Sequence, residues 1–349
     1  MIIPEFLRDG DWIGVTAMSH PVDDPIEKYR FSHAVNKLAR GGFGAVFTNN
    51  VFAEPDEFGR SGTGEEKAFE FNSLVREDRV RAIISAGGGE YLSEMLPFVD
   101  LKLFKRHPKW VQGYSDNTAI LYYLTTKGDV ATAYGCNFSD FGMEPWDESV
   151  MRGLDVLKGF TKVQCSFYTY QDGFAERKTG LEGYRADKEV KWKIASGESP
   201  VSIEGRLIGG CLDVILNIAG TPFDGTCEFL EKYKDDGIIW YLESFDLGCE
   251  QMMEGLWKMR QMGWFDNATG FVFGRPLFYK NESFDGTPLP SYEEVVLERL
   301  GDLNVPIILD ADIGHKGPQM VMINGALARV EAFEDGSGKV TYIPSVHHD

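Results

Sequence analysis

The chain has 349 residues, 43% hydrophobic and 26% charged, a composition typical of a globular enzyme, and its length favours two domains over one. The formal net charge of −19 argues against nucleic acid and anionic membranes as partners, because an acidic surface repels both. The five cysteines are widely spaced and form no C-x-x-C pair, which argues against a disulfide framework and against a structural zinc site.

The beginning of the chain, MIIPEFLRDGDWIGVTAM, lacks a basic start followed by an apolar run and a small-residue cleavage site. No stretch of the sequence is long and apolar enough to cross a bilayer. We therefore expect the protein to act in the cytoplasm.

The first half of the chain alternates short apolar runs, typical of buried strands, with amphipathic stretches, typical of helices. Strands are predicted at residues 12–17, 45–47, 79–85 and 110–114, and helices at residues 27–40, 65–75 and 117–126. This alternation predicts an α/β domain in which helices cover both faces of a parallel sheet. We place that domain at residues 1–162.

The second half begins with a looser segment. Residues 163–202 are polar and interrupted by glycines, and we interpret them as a linker with some strand pairing. Residues 203–349 again combine apolar runs with helical patterns and are predicted to form a smaller β/α domain. Its strands are predicted at residues 238–242, 271–273, 306–309, 321–323, 328–332 and 339–343. Its helices are predicted at residues 212–218, which residues 207–210 precede, and at residues 252–262 and 292–300.

A serine stands between the predicted strand that ends at residue 114 and the helix that follows. The hydroxyl of Ser115 should project beyond the strand, and the amide of Asp116 should lie at the helix N-terminus, where unpaired N–H groups favour negative charge. This predicts a nucleophile with an oxyanion donor beside it. An ordinary helix N-cap is the alternative, and Asn117 in place of glycine excludes the G-x-S-x-G elbow.

Three glycines, residues 87–89, close the preceding strand. The carboxyl ends of parallel strands meet at the edge where open sheets bind ligands, so the amides of Gly88 and Gly89 are candidates for further oxyanion donors. A phosphate site is a competing interpretation, although neither G-x-G-x-x-G nor G-x-x-x-x-G-K is present. A tight turn that needs a positive φ is the structural alternative.

A histidine and a glutamate are candidates for the base and for the residue that orients it. His315 follows a predicted buried strand and lies in a loop bounded by glycine and proline. Glu243 ends a strongly apolar strand, where a carboxylate needs a partner. For His315 the alternative is a hydrogen-bonded structural histidine, and for Glu243 it is a helix N-cap partner or a salt bridge. His20 also follows a strand end and stays a candidate base, whereas His347 and His348 are set aside because they are expected to fray.

A serine, a histidine and a carboxylate at the ends of predicted strands match the logic of a hydrolytic triad. The alternative from another class is a non-catalytic protein that binds a nucleotide or a sugar on an α/β scaffold.

The sequence segments that contain the candidate site residues, and others along the chain, also resemble a known family. They are RDGDWIGV (8–15), SGTGEEKA (61–68), RAIISAGGG (81–89), GYSD (113–116), LE (242–243) and DADIGH (310–315).

These segments resemble the LD-carboxypeptidase family, including its microcin C immunity branch, over nearly the whole chain. The resemblance assigns the roles of nucleophile, orienting carboxylate and base to Ser115, Glu243 and His315. It implies a Rossmann-like N-terminal domain, a mixed β/α C-terminal domain, a homodimer, and no metal or cofactor. It also implies a small peptide or peptidyl-nucleotide substrate.

The LD-carboxypeptidases of this family release the terminal D-alanine of murein tetrapeptides during cell-wall recycling in the cytoplasm. The microcin branch cleaves the amide or acyl link of a toxic aminoacyl-nucleotide analogue. We expect the first activity and keep the second as the alternative.

The resemblance also suggests residues that bind substrate. Glu90 and Tyr91 directly follow the three glycines. Relatives differ from one another at these positions, which help to shape the acyl pocket. Trp192 lies in a segment, residues 184–199, that matches nothing in the family. The microcin branch uses a tryptophan from a loop near here to stack a nucleobase, so Trp192 is a candidate for that role. The alternative is a core tryptophan. Arg275, at a strand end, is a candidate for binding the substrate carboxylate, with a structural salt bridge as the alternative.

Overall fold

The computed structural model describes residues 1–344, so His347 and His348, set aside as bases, lie outside the described residues. In chain order the strands are β1 (Trp12–Thr16), β2 (Gly44–Phe47), β3 (Val80–Ser85), β4 (Trp110–Gly113), β5 (Thr132–Tyr134), β6 (Val163–Cys165), β7 (Thr169–Tyr170), β8 (Lys188–Glu189), β9 (Lys193–Ser196), β10 (Val201–Cys211), β11 (Ile238–Glu243), β12 (Ala268–Gly274), β13 (Ile307–Ala311), β14 (Met322–Asn324), β15 (Leu327–Ala332) and β16 (Gly338–Tyr342). The helices are α1 (Pro25–Arg40), α2 (Gly64–Arg76), α3 (Leu101–Arg106), α4 (Thr118–Thr126), α5 (Glu148–Leu157), α6 (Leu212–Ile218), α7 (Thr226–Lys232), α8 (Cys249–Gln261) and α9 (Tyr292–Leu300). Within residues 1–344, no helix combines the length and the apolar character needed to cross a bilayer.

The first sheet contains six strands in the order β14-β5-β4-β3-β1-β2. Strands β1 to β5 are parallel, and β14 is antiparallel to β5. Helices connect successive parallel strands and return the chain to the same end of the sheet, as parallel pairing requires. The carboxyl ends of these strands therefore meet at one edge, and the predicted α/β class is confirmed.

Helices α1 and α2 begin at side chains that satisfy their free N–H groups. The carboxylate of Asp24 accepts two backbone N–H groups in the first turn of α1, and Thr63 with Glu66 forms a capping box at the start of α2. The inner face of α2 buries apolar residues such as Phe71, and it also buries the side chain of Lys67 completely.

The second sheet contains eight strands in the order β6-β16-β15-β10-β11-β12-β13-β9. Its central strands β10 to β13 are parallel, and the flanking strands are antiparallel, so the sheet is mixed. Strands β7 and β8 form a separate two-stranded ribbon. Parallel pairing brings the carboxyl ends of β11 and β13 to one edge, where Glu243 and His315 are located.

Strand pairing across the predicted linker is more extensive than the sequence indicates. Strands β6 and β9, both within residues 163–202, are edge strands of the second sheet, and β14 from the second half pairs with the first sheet. Short edge strands carry little hydrophobic alternation, so the sequence pattern does not reveal their partners. The bounds 1–162, 163–202 and 203–349 stay a proposal for the domain division.

Helix α4 joins the two sheets. The hydroxyl of Thr118 accepts the backbone N–H of Cys211 at 3.0 Å, and the hydroxyls of Tyr122 and Thr226 are hydrogen-bonded at 2.7 Å. The ring of Tyr122 also stacks on Trp264 with 6.3 Å between centroids. Buried polar contacts of this kind favour one docking geometry, so the helix after β4 has a fixed position relative to the second sheet.

Candidate active site

Three side chains at the carboxyl ends of β4, β11 and β13 form one hydrogen-bonded chain. Nε2 of His315 lies 2.9 Å from Oγ of Ser115, and Nδ1 of His315 lies 2.8 Å from Oε2 of Glu243. Because a carboxylate only accepts hydrogen bonds, the imidazole proton is assigned to Nδ1, and Nε2 accepts from the serine hydroxyl. The structure thus brings together the three residues predicted from the sequence, in a geometry that can pass a proton from serine to histidine.

Ser115 occupies a strained turn. Its φ is +67°, in the left-handed region that residues with a side chain rarely adopt. The side-chain amide of Asn117 holds the turn, because its Nδ2 donates to the carbonyl oxygens of Tyr114 at 2.9 Å and Gly87 at 3.0 Å. The hydroxyl of Thr118 donates to the carbonyl oxygen of Ser115 at 2.7 Å. This is the geometry of a nucleophile elbow, although the G-x-S-x-G pattern is absent.

Glu243 is a buried carboxylate, 2% exposed, with both oxygens hydrogen-bonded. Oε2 accepts from His315, and Oε1 accepts from the hydroxyl of Tyr134. Gly314, with φ +95°, lies so close to Oε2 that a Cβ there would overlap it. Burial and the neighbouring carboxylate raise the pKa of Tyr134 well above its ordinary value, so the phenol stays protonated and remains a donor.

The imidazole of His315 packs against two aromatic rings. The Tyr114 centroid lies 5.3 Å away in an edge arrangement, and the Phe245 centroid lies 4.9 Å away. These contacts leave the residue 8% exposed. Packing against two rings restricts rotation of the imidazole and favours the orientation in which Nε2 faces Ser115.

The glycine loop, residues 87–92, lies against the nucleophile. A Cβ at Gly88 would lie 3.1 Å from Cβ of Ser115 and 3.2 Å from its Oγ, so a larger residue would displace the serine. The backbone amides of Gly88, Gly89 and Asp116 remain the candidate oxyanion donors, and Gly88 is in direct contact with the nucleophile.

His20, the alternative base, occupies a different position. Its ring packs against Gly89, and it lines a cavity of about 150 Å³ that also contacts Gly88. The described hydrogen bond of Ser115 Oγ to an imidazole goes to His315, so the geometry favours His315 as the base.

Glu90 and Tyr91 lie at the exposed rim of the glycine loop, and Tyr91 is 43% exposed. Both side chains are therefore accessible to a ligand bound beside the loop. Their predicted role in substrate binding stays a prediction.

Trp192 is buried against residues of the second sheet, which argues against the nucleobase-stacking hypothesis. It is 3% exposed, its ring packs against Gly338, and its indole N–H donates to Oδ2 of Asp312 at 3.1 Å. A ring enclosed in this way has no free face for a ligand. The structure therefore favours the alternative of a core tryptophan.

Arg275 is also engaged within the protein. It is 4% exposed, its Nη2 pairs with Oδ1 of Asp312 at 2.7 Å, and its Nη1 donates to the carbonyl oxygen of Asp310 at 2.6 Å. The ring of Tyr170 covers the guanidinium at 4.2 Å. The structure therefore favours the salt-bridge alternative over recognition of a substrate carboxylate.

Sequence reasoning missed two residues that support the triad. Tyr134 ends β5, a strand of three residues, and its pattern gives no sign that the hydroxyl reaches Glu243. Phe245 follows Glu243 by two residues, and an aromatic ring so near a candidate carboxylate is a signal that could have been used.

A serine, a histidine and a buried carboxylate joined in this order, on an α/β fold with an elbow-like nucleophile turn, define a serine hydrolase. Two family models match the chain and narrow this class. The model of the LD-carboxypeptidase N-terminal domain matches residues 13–135, and that of the LD-carboxypeptidase C-terminal domain matches residues 204–330. The chain belongs to the LD-carboxypeptidase family, which sets aside the non-catalytic alternative.

Relatives match over nearly their full length. A protein of Vibrio cholerae named as a carboxypeptidase is 28% identical over 338 residues, 95% of each chain. The microcin C7 self-immunity protein MccF of Escherichia coli is 27% identical, covering 93% of this chain and 92% of its own. A Bacillus subtilis protein named as a murein peptide carboxypeptidase is 22% identical, covering 95% of this chain and 92% of its own.

A solved structure of MccF in complex with aspartyl sulfamoyl adenosine superposes with a TM-score of 0.80 at 24% identity, covering 99% of both chains. At that identity the similarity establishes the fold. The two-domain arrangement expected from the family resemblance is therefore confirmed at the level of the fold.

Proposed function

We propose that the protein is a serine-type LD-carboxypeptidase that releases the terminal D-alanine of murein tetrapeptides by hydrolysing the amide bond next to the free carboxylate. The observation that carries the proposal is the hydrogen-bonded chain from Ser115 through His315 to Glu243, with distances of 2.9 and 2.8 Å. Similarity over most of the chain to the Bacillus protein named for murein peptides supports this choice of substrate.

In the acylation step, Oγ of Ser115 attacks the carbonyl carbon of the scissile amide, and Nε2 of His315 takes the hydroxyl proton. Glu243 stabilises the resulting imidazolium through its hydrogen bond to Nδ1. The carbonyl oxygen becomes anionic, and the backbone N–H groups of Gly88, Gly89 and Asp116 are the proposed donors to it. His315 then gives its proton to the leaving nitrogen, the C–N bond breaks, and the terminal amino acid departs.

Deacylation repeats these transfers with water as the nucleophile. Water attacks the ester carbonyl, Nε2 of His315 takes one of its protons, and that proton returns to Oγ of Ser115 as the ester bond breaks. The products are the shortened peptide, with a new carboxylate, and the regenerated enzyme.

Mass spectrometry of muropeptides incubated with the purified protein tests this proposal. We expect conversion of tetrapeptide to tripeptide with release of D-alanine, and no conversion by Ser115→Ala. Because that change removes a single hydroxyl at a turn, thermal unfolding should show a folded variant. Tetrapeptide left intact by the folded wild type, or cleaved equally by the variant, would refute the proposal.

Hydrolysis of an aminoacyl-nucleotide analogue is the second candidate, and a specific feature favours it. Three exposed phenylalanines, Phe174, Phe245 and Phe278, form a cluster beside the catalytic histidine, with centroids 5.5 to 6.5 Å apart. Phe245 contacts His315 directly, and Phe174 is 66% exposed. Exposed aromatic faces bind nucleobases by stacking, and the solved MccF complex contains a nucleoside.

An assay of both substrates with one enzyme preparation distinguishes the two candidate functions. If the nucleotide analogue is the substrate, Phe174→Ala should raise its KM about tenfold, because stacking contributes about 1–3 kcal/mol per base. Phe69→Ala is the matched control, since Phe69 is also 66% exposed and lies on α2 outside the cluster. Equal KM values in both variants would remove the support that the cluster gives to this candidate.

We further propose that the protein acts in the cytoplasm, in cell-wall recycling, as a homodimer. All five cysteines are free thiols, which supports a reducing compartment. The homodimer is supported by the family resemblance. Light scattering after gel filtration tests it, with a mass of twice 39.1 kDa expected and a mass of 39.1 kDa as the contrary result.

A further inference from the structure

One peptide group in the glycine loop is held from both sides by buried charges. The carbonyl oxygen of Tyr91 accepts from Nζ of Lys67 at 2.8 Å, and the N–H of Leu92 donates to Oδ2 of Asp116 at 2.9 Å. These two polar atoms belong to the same peptide bond, so a cation and an anion fix its orientation together.

Both charged groups are withdrawn from water. Lys67 is 0% exposed and Asp116 is 8% exposed. Burial lowers the pKa of Lys67, an effect that the carboxylates of Glu94 and Asp116 oppose, and burial raises the pKa of Asp116. A buried charge is unfavourable unless it is paired or hydrogen-bonded. The peptide supplies one hydrogen bond to each side chain, and Lys67 also pairs with Glu94 at 3.9 Å.

The peptide needs holding because the chain is strained there. Tyr91 has φ +67° and ψ +17°, a left-handed conformation that disfavours a residue with a Cβ by about 1–2 kcal/mol. A strained residue of this kind persists only where its surroundings hold it, and relaxation of its φ would shift the residues before it, which include Gly88 and Gly89.

Asp116 also reaches the other side of the loop. Its Oδ2 accepts the hydroxyl of Ser19 at 2.6 Å, and a Cβ built at Gly89 would lie 3.0 Å from Cβ of Ser19. The same carboxylate therefore anchors both the end of the loop and the surface against which Gly89 packs. Asp116 directly follows the nucleophile Ser115 in the chain, so its carboxylate connects the glycine loop to the nucleophile turn.

We propose that Lys67 and Asp116 are positioning residues that hold the glycine loop in the conformation that presents its amides to the oxyanion. The inference rests on the proposed function, because it assigns these side chains to the transition state of that hydrolysis. We expect neither side chain to contact the substrate. Both act through the peptide between Tyr91 and Leu92.

The test compares two buried lysines. Lys67→Met removes the cation that binds the Tyr91 carbonyl. Lys109→Met is the matched control, because Lys109 is 6% exposed and its Nζ donates to the carbonyl oxygens of Glu77 at 2.9 Å and Val80 at 2.5 Å. These contacts lie at the amino end of β3, the end opposite the glycine loop.

We expect kcat of Lys67→Met to fall about 10- to 100-fold with KM unchanged, because a misplaced oxyanion donor weakens binding of the transition state alone. Lys109→Met should lose stability but keep its kcat per folded molecule. Asp116→Asn is a second, nearly isosteric variant that removes charge from the other side of the peptide, and its kcat should fall about tenfold with KM unchanged. Wild-type kcat in folded Lys67→Met and Asp116→Asn, or losses equal to that of Lys109→Met, would overturn the inference.

Labelling of Ser115 by a fluorophosphonate distinguishes this failure from failure of the proposed function. If the wild type is neither labelled nor active, the proposed function is wrong. If the wild type is labelled and active, and Lys67→Met is labelled at the same rate, the positioning role is wrong.

Discussion

The hydroxyl of Tyr134 donates a hydrogen bond to Oε1 of Glu243, the carboxylate oxygen that does not contact His315. The same hydroxyl accepts the backbone N–H of Ser115 at 3.2 Å. Tyr134 thus links the nucleophile turn to the orienting carboxylate by a path that does not pass through the imidazole. Because β5 belongs to the first sheet and β11 to the second, this contact also joins the two domains at the site.

Removing this hydroxyl should weaken catalysis and stability together. In Tyr134→Phe, one oxygen of a buried carboxylate loses its donor, which should lower the free energy of unfolding by about 1–3 kcal/mol. We expect kcat to fall about tenfold as Glu243 gains freedom to move. Tyr122→Phe is the control, since it removes another buried hydroxyl, bonded to Thr226, without touching the triad. Equal kcat values for the two variants would contradict the role of Tyr134.

A side chain at position 314 should impair catalysis, because no space is left for a Cβ beside Glu243. In Gly314→Ala the new Cβ overlaps the carboxylate of Glu243, so we expect kcat to fall about 10- to 100-fold, less than the roughly 10⁴-fold loss typical when a triad member is disabled.

Gly286→Ala separates this crowding from backbone strain. Gly286 has φ +80°, but a Cβ added there would meet no heavy atom within 4 Å, so its substitution brings left-handed strain alone, about 1–2 kcal/mol. Steady-state kinetics and thermal unfolding of both variants check the prediction. An unaffected kcat in Gly314→Ala would show that Glu243 tolerates displacement.

Trp192→Phe should change stability and leave substrate recognition intact. The variant loses the indole N–H that donates to Asp312, a carboxylate that is 0% exposed, and we expect a loss of about 1–3 kcal/mol in the free energy of unfolding. The KM for either candidate substrate should stay within twofold of wild type, a margin of about 0.4 kcal/mol. A KM raised tenfold for the nucleotide analogue alone would restore the stacking hypothesis.

The loop at residues 178–182 should respond to acid. Backbone N–H groups, first that of Thr179, donate to the carboxylate of Glu182 and lower its pKa to about 2 from an ordinary value of 4.5. Since the folded-state pKa lies below the unfolded one, this carboxylate stabilises the protein above about pH 4.5 and loses its contribution as the pH falls through about 2.

Glu182→Gln removes this titration. The wild type should therefore unfold at a higher temperature than the variant at pH 7, and the difference should shrink as the pH is lowered from about 5 towards 2. Calorimetry across that range measures it. A difference that stays constant with pH would contradict the assignment.

The fold and the three principal site residues can be predicted from the sequence because each is marked by a local sequence pattern. Ser115, Glu243 and His315 each lie at or just beyond the end of an apolar strand, and parallel strands bring such ends to one edge. The supporting contacts have no local signal. Tyr134 ends a strand of three residues, and Lys67 lies on a helix face whose spacing fits an ordinary amphipathic pattern.

Trp192 and Arg275 show why residue type alone misleads. Tryptophan and arginine are common in binding sites, but each also satisfies a buried carboxylate well, and both converge on Asp312. That convergence depends on pairing of β13 with both β9 and β12, and β9 and β13 are more than 100 residues apart in the chain.

Activation of the Ser115 nucleophile by His315 is tested most directly by mass spectrometry after treatment with a fluorophosphonate. We expect a single covalent adduct on Ser115 in the wild type. It should form at least about 100-fold more slowly in folded His315→Ala, because removing a triad base typically lowers reactivity by about 10³- to 10⁶-fold. An adduct on another residue, or equal labelling rates in the two proteins, would contradict it.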